Sequence, residues 1–264
     1  MGSASTSCRR SPRRRGRLAA LAGGLGEVAI TLGVVLLLFV AWQLWWTNID
    51  ADRTQTELAH RTIQHFPGAD TPTEGNMLAP LEVSEGDRER YGTPPPASLH
   101  GSRTFGMLYV PRFGEDYGRP ISEGVGSDVL DHLGIGHYPR TQMPGEAGNF
   151  AVAAHRQTHG QVFWDIDELV DGDFLYVQTR EGYYTYRYRD TEVVDPSASS
   201  VLLPVPHQPG RQASTSLLTM TSCDPPFSTR MRIVAYAELE SWRPPSAGPP
   251  APIAETVTRV SGAG

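Results

Sequence analysis

Residues 216–239 read SLLTMTSCDPPFSTRMRIVAYAEL, two apolar runs joined by the turn-forming segment DPPFSTR. In the second run Met231, Ile233, Ala235, Ala237 and Leu239 fall on one side of a period-two pattern, and Arg232, Val234, Tyr236 and Glu238 on the other. That alternation is the mark of a β-strand with one face in a core. If the two runs are neighbouring strands, the end of the first lies beside the start of the second, and Cys223 meets Arg232 at one rim of a sheet. An arginine there favours a thiolate over a thiol and offers a forked donor to an oxyanion. An ordinary surface arginine beside a core thiol fits the same pattern.

Working outward, FGMLYVPRFG (105–114), GNFAVAAHR (148–156) and DFLYVQTREGYYTYRYRDTEVV (173–194) are rich in β-branched and aromatic residues and bounded by turn formers. In the last of these a hairpin turning at Glu181-Gly182 puts Tyr184, Tyr186 and Tyr188 on one face. Residues 101–242 are therefore expected to form a mainly β domain, a closed or nearly closed barrel with few short helices. The flanks differ in composition. Residues 28–46, VAITLGVVLLLFVAWQLWW, are 19 residues without a charge, about the length a helix needs to cross a bilayer. Six arginines precede this segment, and Trp42, Trp45 and Trp46 crowd its far end. This predicts an uncleaved transmembrane anchor over 27–47, a basic cytoplasmic tail over 1–26, and a single-pass protein of the cell membrane with its domain outside. Residues 48–100 read as a polar spacer with a possible juxtamembrane helix at 52–66, and 243–264 as a Pro/Gly/Ala-rich disordered tail.

Composition narrows the chemistry. The 264-residue chain has a formal charge of −6, but from residue 50 onward 17 Arg stand against 28 Asp and Glu. That acidic outer part carries no nucleic-acid footprint. All 23 basic residues are arginine, which excludes lysine-based catalysis. The two cysteines, Cys8 in the basic tail and Cys223 in an apolar run, do not suggest a disulfide framework.

A cysteine nucleophile also needs a proton carrier. Among eight histidines, His155 ends the apolar run NFAVAA where a strand passes into a loop, so it too belongs to a rim. A lone histidine at a strand end is more often a loop residue than a catalyst. His159 follows at a spacing of four, which aligns side chains on a helix, whereas HRQTHG follows a strand; no metal site is expected, and no cofactor.

The segment LLTMTSCDPPFSTRMRIV resembles the signature of sortases, in which a Thr-Leu-x-Thr-Cys strand precedes an arginine on the next strand. Here Thr219 matches the first threonine, Met220 stands for the leucine and Ser222 for the second threonine. GHYPRTQMPGEAGNFAVAAHR (136–156) resembles the segment leading to the sortase histidine, and LYVPRFG (108–114) an early barrel strand of the class E sortases of high-GC Gram-positive bacteria. The resemblance covers residues 101–242 and implies an eight-stranded β-barrel. It implies Cys223 as nucleophile, His155 as general acid/base, and Arg232, nine residues after the cysteine, as oxyanion and substrate clamp with Arg230 its rival. Tyr109, Tyr138 and Ser222 are candidate substrate contacts. The implied partners are secreted proteins with a C-terminal LPxTG or LAxTG sorting signal, cut between Thr and Gly, and a lipid-linked peptidoglycan precursor whose amine accepts the acyl group. Two rival readings stand beside it, a membrane-anchored cysteine peptidase that finishes with water and a non-catalytic β-barrel binding ectodomain. An L,D-transpeptidase is disfavoured because no Ser-His-Gly-Cys motif is present.

Overall fold

The structure is a computed structural model describing residues 15–67 and 80–262. Cys8 with the first part of the basic tail, and residues 68–79 of the spacer, lie outside the described residues. The chain divides into two compact units, residues 1–46 and 47–264. Helix α1 runs over Arg15–Gln64. Within it Ala22–Trp42, 21 residues of mean hydropathy 2.3 with none buried, is long and apolar enough to cross a membrane.

The second unit is built on eight strands: β1 (Thr104–Tyr109), β2 (Gly118–Glu123), β3 (Ile135–His137), β4 (Gly148–Ala153), β5 (Phe174–Thr179), β6 (Gly182–Val194), β7 (Ser216–Asp224) and β8 (Met231–Arg243). They close into a barrel in the order β1-β2-β3-β4-β7-β8-β6-β5. The expected eight-stranded barrel is thus observed. Neighbours are antiparallel except β2 with β3 and β4 with β7, which are parallel. Period-two alternation fills the inside: Tyr184, Tyr186 and Tyr188 of β6 join Phe150 and Val152 of β4, Leu218 and Met220 of β7, and Ile233, Ala235 and Ala237 of β8 in one cluster. Each large apolar side chain buried this way contributes about 1.5–3 kcal/mol.

A second cluster packs against the outside of the barrel. It joins Ala59 and Ile63 of α1 and the following Phe66 to Met107 and Tyr109 of β1, Tyr176 of β5 and Tyr183 of β6. Residues 52–66 are therefore more than a loose juxtamembrane helix. Ala51, Gln55, Ala59 and Ile63 recur every four residues, and that spacing lines them up on one buried helix face. Helix α2 (Pro80–Tyr91) likewise interrupts the expected spacer. Its Ser84 donates to Ser241 at 2.8 Å, and its Asp87 accepts two bonds of 2.7 Å from the Arg243 guanidinium at the end of β8. A bidentate pair of this kind fixes direction as well as distance.

The disordered C-terminal tail expected from composition is also corrected. Beyond the short helix α3 (Ser127–Leu130), a fourth helix, α4 (Ala254–Ser261), follows two 3-10 turns that are N-capped by prolines, Pro244 and Pro250. Those prolines supply turns and not disorder, because Ile253 and Val257 beyond them reach the second cluster and are fully buried. Ile253→Ala is accordingly expected to lower the unfolding free energy by about 2–5 kcal/mol, read from denaturant unfolding of the full chain. An unchanged midpoint is what a disordered tail would give.

Candidate active site

Three adjacent strands, β4, β7 and β8, build the site. In β7 the even residues Leu218 and Met220 enter the barrel, so Thr219, Thr221 and Cys223 take the outer face. In β8 the odd residues enter, and Arg232 shares the outer face; the register pairs Cys223 directly with Arg232. Strand β4 lies parallel to β7 with Ala153 opposite Thr221. Parallel strands end at the same rim, so continuing this register sets His155, two residues past Ala153, level with Cys223 on the outer face. The junction is tied by the Ala154 N–H donating to Thr221 O at 3.3 Å and by the Ser222 hydroxyl donating to Ala154 O at 2.8 Å. The residues singled out as Cys223, His155 and Arg232 are thereby gathered at one rim.

Their surroundings differ. Cys223 is a free, half-buried thiol. The Arg232 guanidinium donates through Nη1 to Thr229 O at 3.0 Å and Met231 O at 2.9 Å, while Arg230 sits exposed in the preceding bend. His155 Nε2 lies 2.7 Å from Oδ1 of Asp131, which caps the C-terminus of α3. Tyr138 shares a 3.0 Å hydrogen bond with Thr221, two residues before the cysteine, so it borders the site. Near the rim Trp164 and Phe227 stack edge to face at 6.0 Å, and Phe227 is 72% exposed.

Two expected substrate contacts are displaced by the structure. Tyr109 is fully buried in the cluster beneath α1 and donates to Gln178 at 2.7 Å; burial drives its pKa well up. Ser222 has the opposite parity to Cys223, is buried, and spends its hydroxyl on Ala154. Both hold structure together, Tyr109 covered by the second cluster and Ser222 on the face opposite Cys223.

Two residues went unread in the sequence. Arg156, directly after His155, is only 2% exposed at its side chain and bridges Asp224 at 2.5 Å and Asp167 at 2.7 Å. It therefore ties the loop after the histidine to the loop after the cysteine. Asp131 had no motif to announce it. The spacing argument that set His155 and His159 apart also fails. His159 takes a positive φ (51°) in a loop that brings the two imidazole centroids to 4.8 Å. Burial pushes the His159 pKa down, reinforced by the His155 and His132 charges and opposed by Asp131.

Comparison with known proteins agrees with this geometry. A sortase domain matches residues 108–240. Sortase SrtE1 of Streptomyces coelicolor is 35% identical over 90% of this chain, a match spanning 62% of that protein's length. SrtE2 of the same organism is 32% identical over 87% of each chain. Among solved structures, the SrtA sortase from Actinomyces oris superposes with a TM-score of 0.58 at 38% identity, covering 61% of this chain and 94% of its own. A closed eight-stranded barrel, a cysteine facing an arginine across β7 and β8, and a histidine at the parallel end of β4 accompany these matches, and together they make this chain a member of the sortase family, with the class E sortases SrtE1 and SrtE2 among its relatives.

Proposed function

We propose that the chain is a membrane-anchored transpeptidase that cuts an LPxTG- or LAxTG-type sorting signal between Thr and Gly and passes the acyl group to an amine. The observation that carries this reading is the shared outer rim of Cys223, His155 and Arg232. Cys223 Sγ attacks the threonine carbonyl carbon, and the forked donors of Arg232 face the oxygen on which charge develops. The C–N bond to glycine breaks, its amine leaving with a proton from the His155 imidazolium, and a thioester remains. An acceptor amine then attacks the thioester and yields its proton to His155. The carbon–sulfur bond breaks and the Cys223 thiolate returns. Tyr138, beside the cysteine strand, is the candidate substrate contact retained from the sequence.

The test is product analysis by mass with the full-length chain in detergent, a labelled sorting peptide and a panel of amines. Transfer product after Thr is expected, with the best amine marking the acceptor class. Hydrolysis that no amine diverts would establish the cysteine peptidase instead, and an intact peptide with every signal tried would favour a binding ectodomain.

The anchor is assigned to the apolar part of α1, with residues 1–26 in the cytoplasm and the barrel outside, where a lipid-linked peptidoglycan precursor is accessible. Six arginines ahead of the span oppose the reverse orientation. Protease added to intact protoplasts is expected to degrade the barrel unit and spare the N-terminal tail. Loss of the tail alone would reverse the topology.

A further inference from the structure

Asp131, His155 and His159 come from three places, the end of α3, the end of β4 and the loop after it, yet their ligating atoms all lie within 4.8 Å of one another. Oδ1 of Asp131 is the hub, 2.7 Å from His155 Nε2 and 3.9 Å from His159 Nδ1. That Nδ1 is shielded from solvent and has no hydrogen-bond partner, an uncommon state for a buried polar atom. The loop carrying it is held from behind. Gln55 of α1 donates to His159 O at 3.0 Å, and the Gly160 N–H donates to Asn48 Oδ1 at 3.1 Å. An imidazole kept in place thus presents an unused nitrogen beside a carboxylate and a second imidazole, donor types that metal sites use.

We propose that these three residues bind a divalent transition metal of the zinc type, and that the bound ion silences the enzyme by occupying His155. Two imidazoles and one carboxylate form a nitrogen and oxygen set suited to zinc, which leaves water in the fourth tetrahedral position. With metal–ligand bonds of about 2.0–2.1 Å, tetrahedral ligands sit about 3.3 Å apart. Two of the present separations, 2.7 and 3.9 Å, straddle that value and the third lies within 4.8 Å, so the side chains must rotate to draw the two imidazoles onto one ion. Once Nε2 of His155 is on a metal, the ring no longer shuttles protons to and from the leaving and entering amines. The site is separate from the thiol, so the inhibition differs from capture of Cys223 by a metal. Its silencing role rests on the functional reading above, whereas its existence does not.

The test uses the full-length chain in detergent with zinc and cobalt ions as probes. Affinity is measured by competition with a chromophoric chelator, and the ligand set is read from the visible bands of bound cobalt. One equivalent is expected to bind the wild type and Cys223→Ala alike, with no sulfur-to-cobalt charge-transfer band. His159→Gln, which leaves the proposed catalytic residues intact, should bind at least about tenfold more weakly. It should also sort peptide at the wild-type rate while resisting zinc concentrations that silence the wild type. Loss of binding in Cys223→Ala, or unchanged binding in His159→Gln, overturns the proposal. A chain that binds zinc as expected but transfers no peptide upholds the site and overturns the functional reading.

Discussion

Cys223→Ala is expected to reduce both cleavage of a sorting peptide and its transfer to an amine to background, whereas Cys8→Ala leaves both unchanged. Every covalent change in the proposed cycle passes through the sulfur, and a methyl group forms no thioester. Removing a nucleophile that works with a general base costs on the order of 10⁶ in rate in the best-measured hydrolase. The substitution is mild for the fold, since Cys223 is half-buried at the end of β7 and its backbone pairing with Arg232 does not depend on the thiol. Thermal unfolding of the variant checks that point. Substantial turnover by the alanine variant removes the thioacyl mechanism. Alkylation adds a second discrimination, because a half-buried thiol reacts in the folded chain, as a core thiol in a binding ectodomain would not.

The second large effect separates two arginines two residues apart. Arg232 lies within β8, its Nη1 bonded to two main-chain carbonyls, so the remaining arms of its fork are fixed in direction. Arg230 lies outside the strand and is exposed. A donor preorganised toward an oxyanion typically accounts for about 100- to 1000-fold in rate, and a lysine keeps the charge without the fork. Arg232→Ala and Arg232→Lys are therefore both expected to lower turnover by about that factor, and Arg230→Ala by less than about tenfold. Steady-state rates with one sorting peptide decide it. The reverse ranking would make Arg230 the clamp and Arg232 a strand residue.

What the sequence made legible follows from the length and regularity of each element. β7 and β8 run 9 and 13 residues, enough for alternation to declare the buried face and to place Cys223 and Arg232 on the other. β4 was legible as an apolar run ending at His155. β2 and β3 were not. β2 reads GRPISE, with Pro120 inside it opposite Met107, and β3 has three residues, too few for any period to show. The C-terminal helix was hidden by a composition rule: proline and glycine signal both disorder and turns, and only the buried Ile253 and Val257 tell them apart. At the site, Cys223 and His155 were announced by strand ends, but Asp131 and Arg156 reach it only through the fold. A charge following a strand reads as solvent-exposed until the fold supplies Asp224 and Asp167 around it.

The parallel pairing of β4 with β7 has a consequence for how the chain is made. The contact that joins Ser222 to Ala154 links residues 68 apart, and β7 must dock beside β4 to form it. Contacts of such sequence separation carry a loop-closure cost and form slowly relative to hairpins such as β5–β6. Until β7 docks on β4, the thiol has the arginine of its own hairpin opposite it but not the histidine. On the proposed mechanism, Cys223, His155 and Arg232 come together only once β7 has docked on β4, so a nascent chain would not yet hold the assembled site.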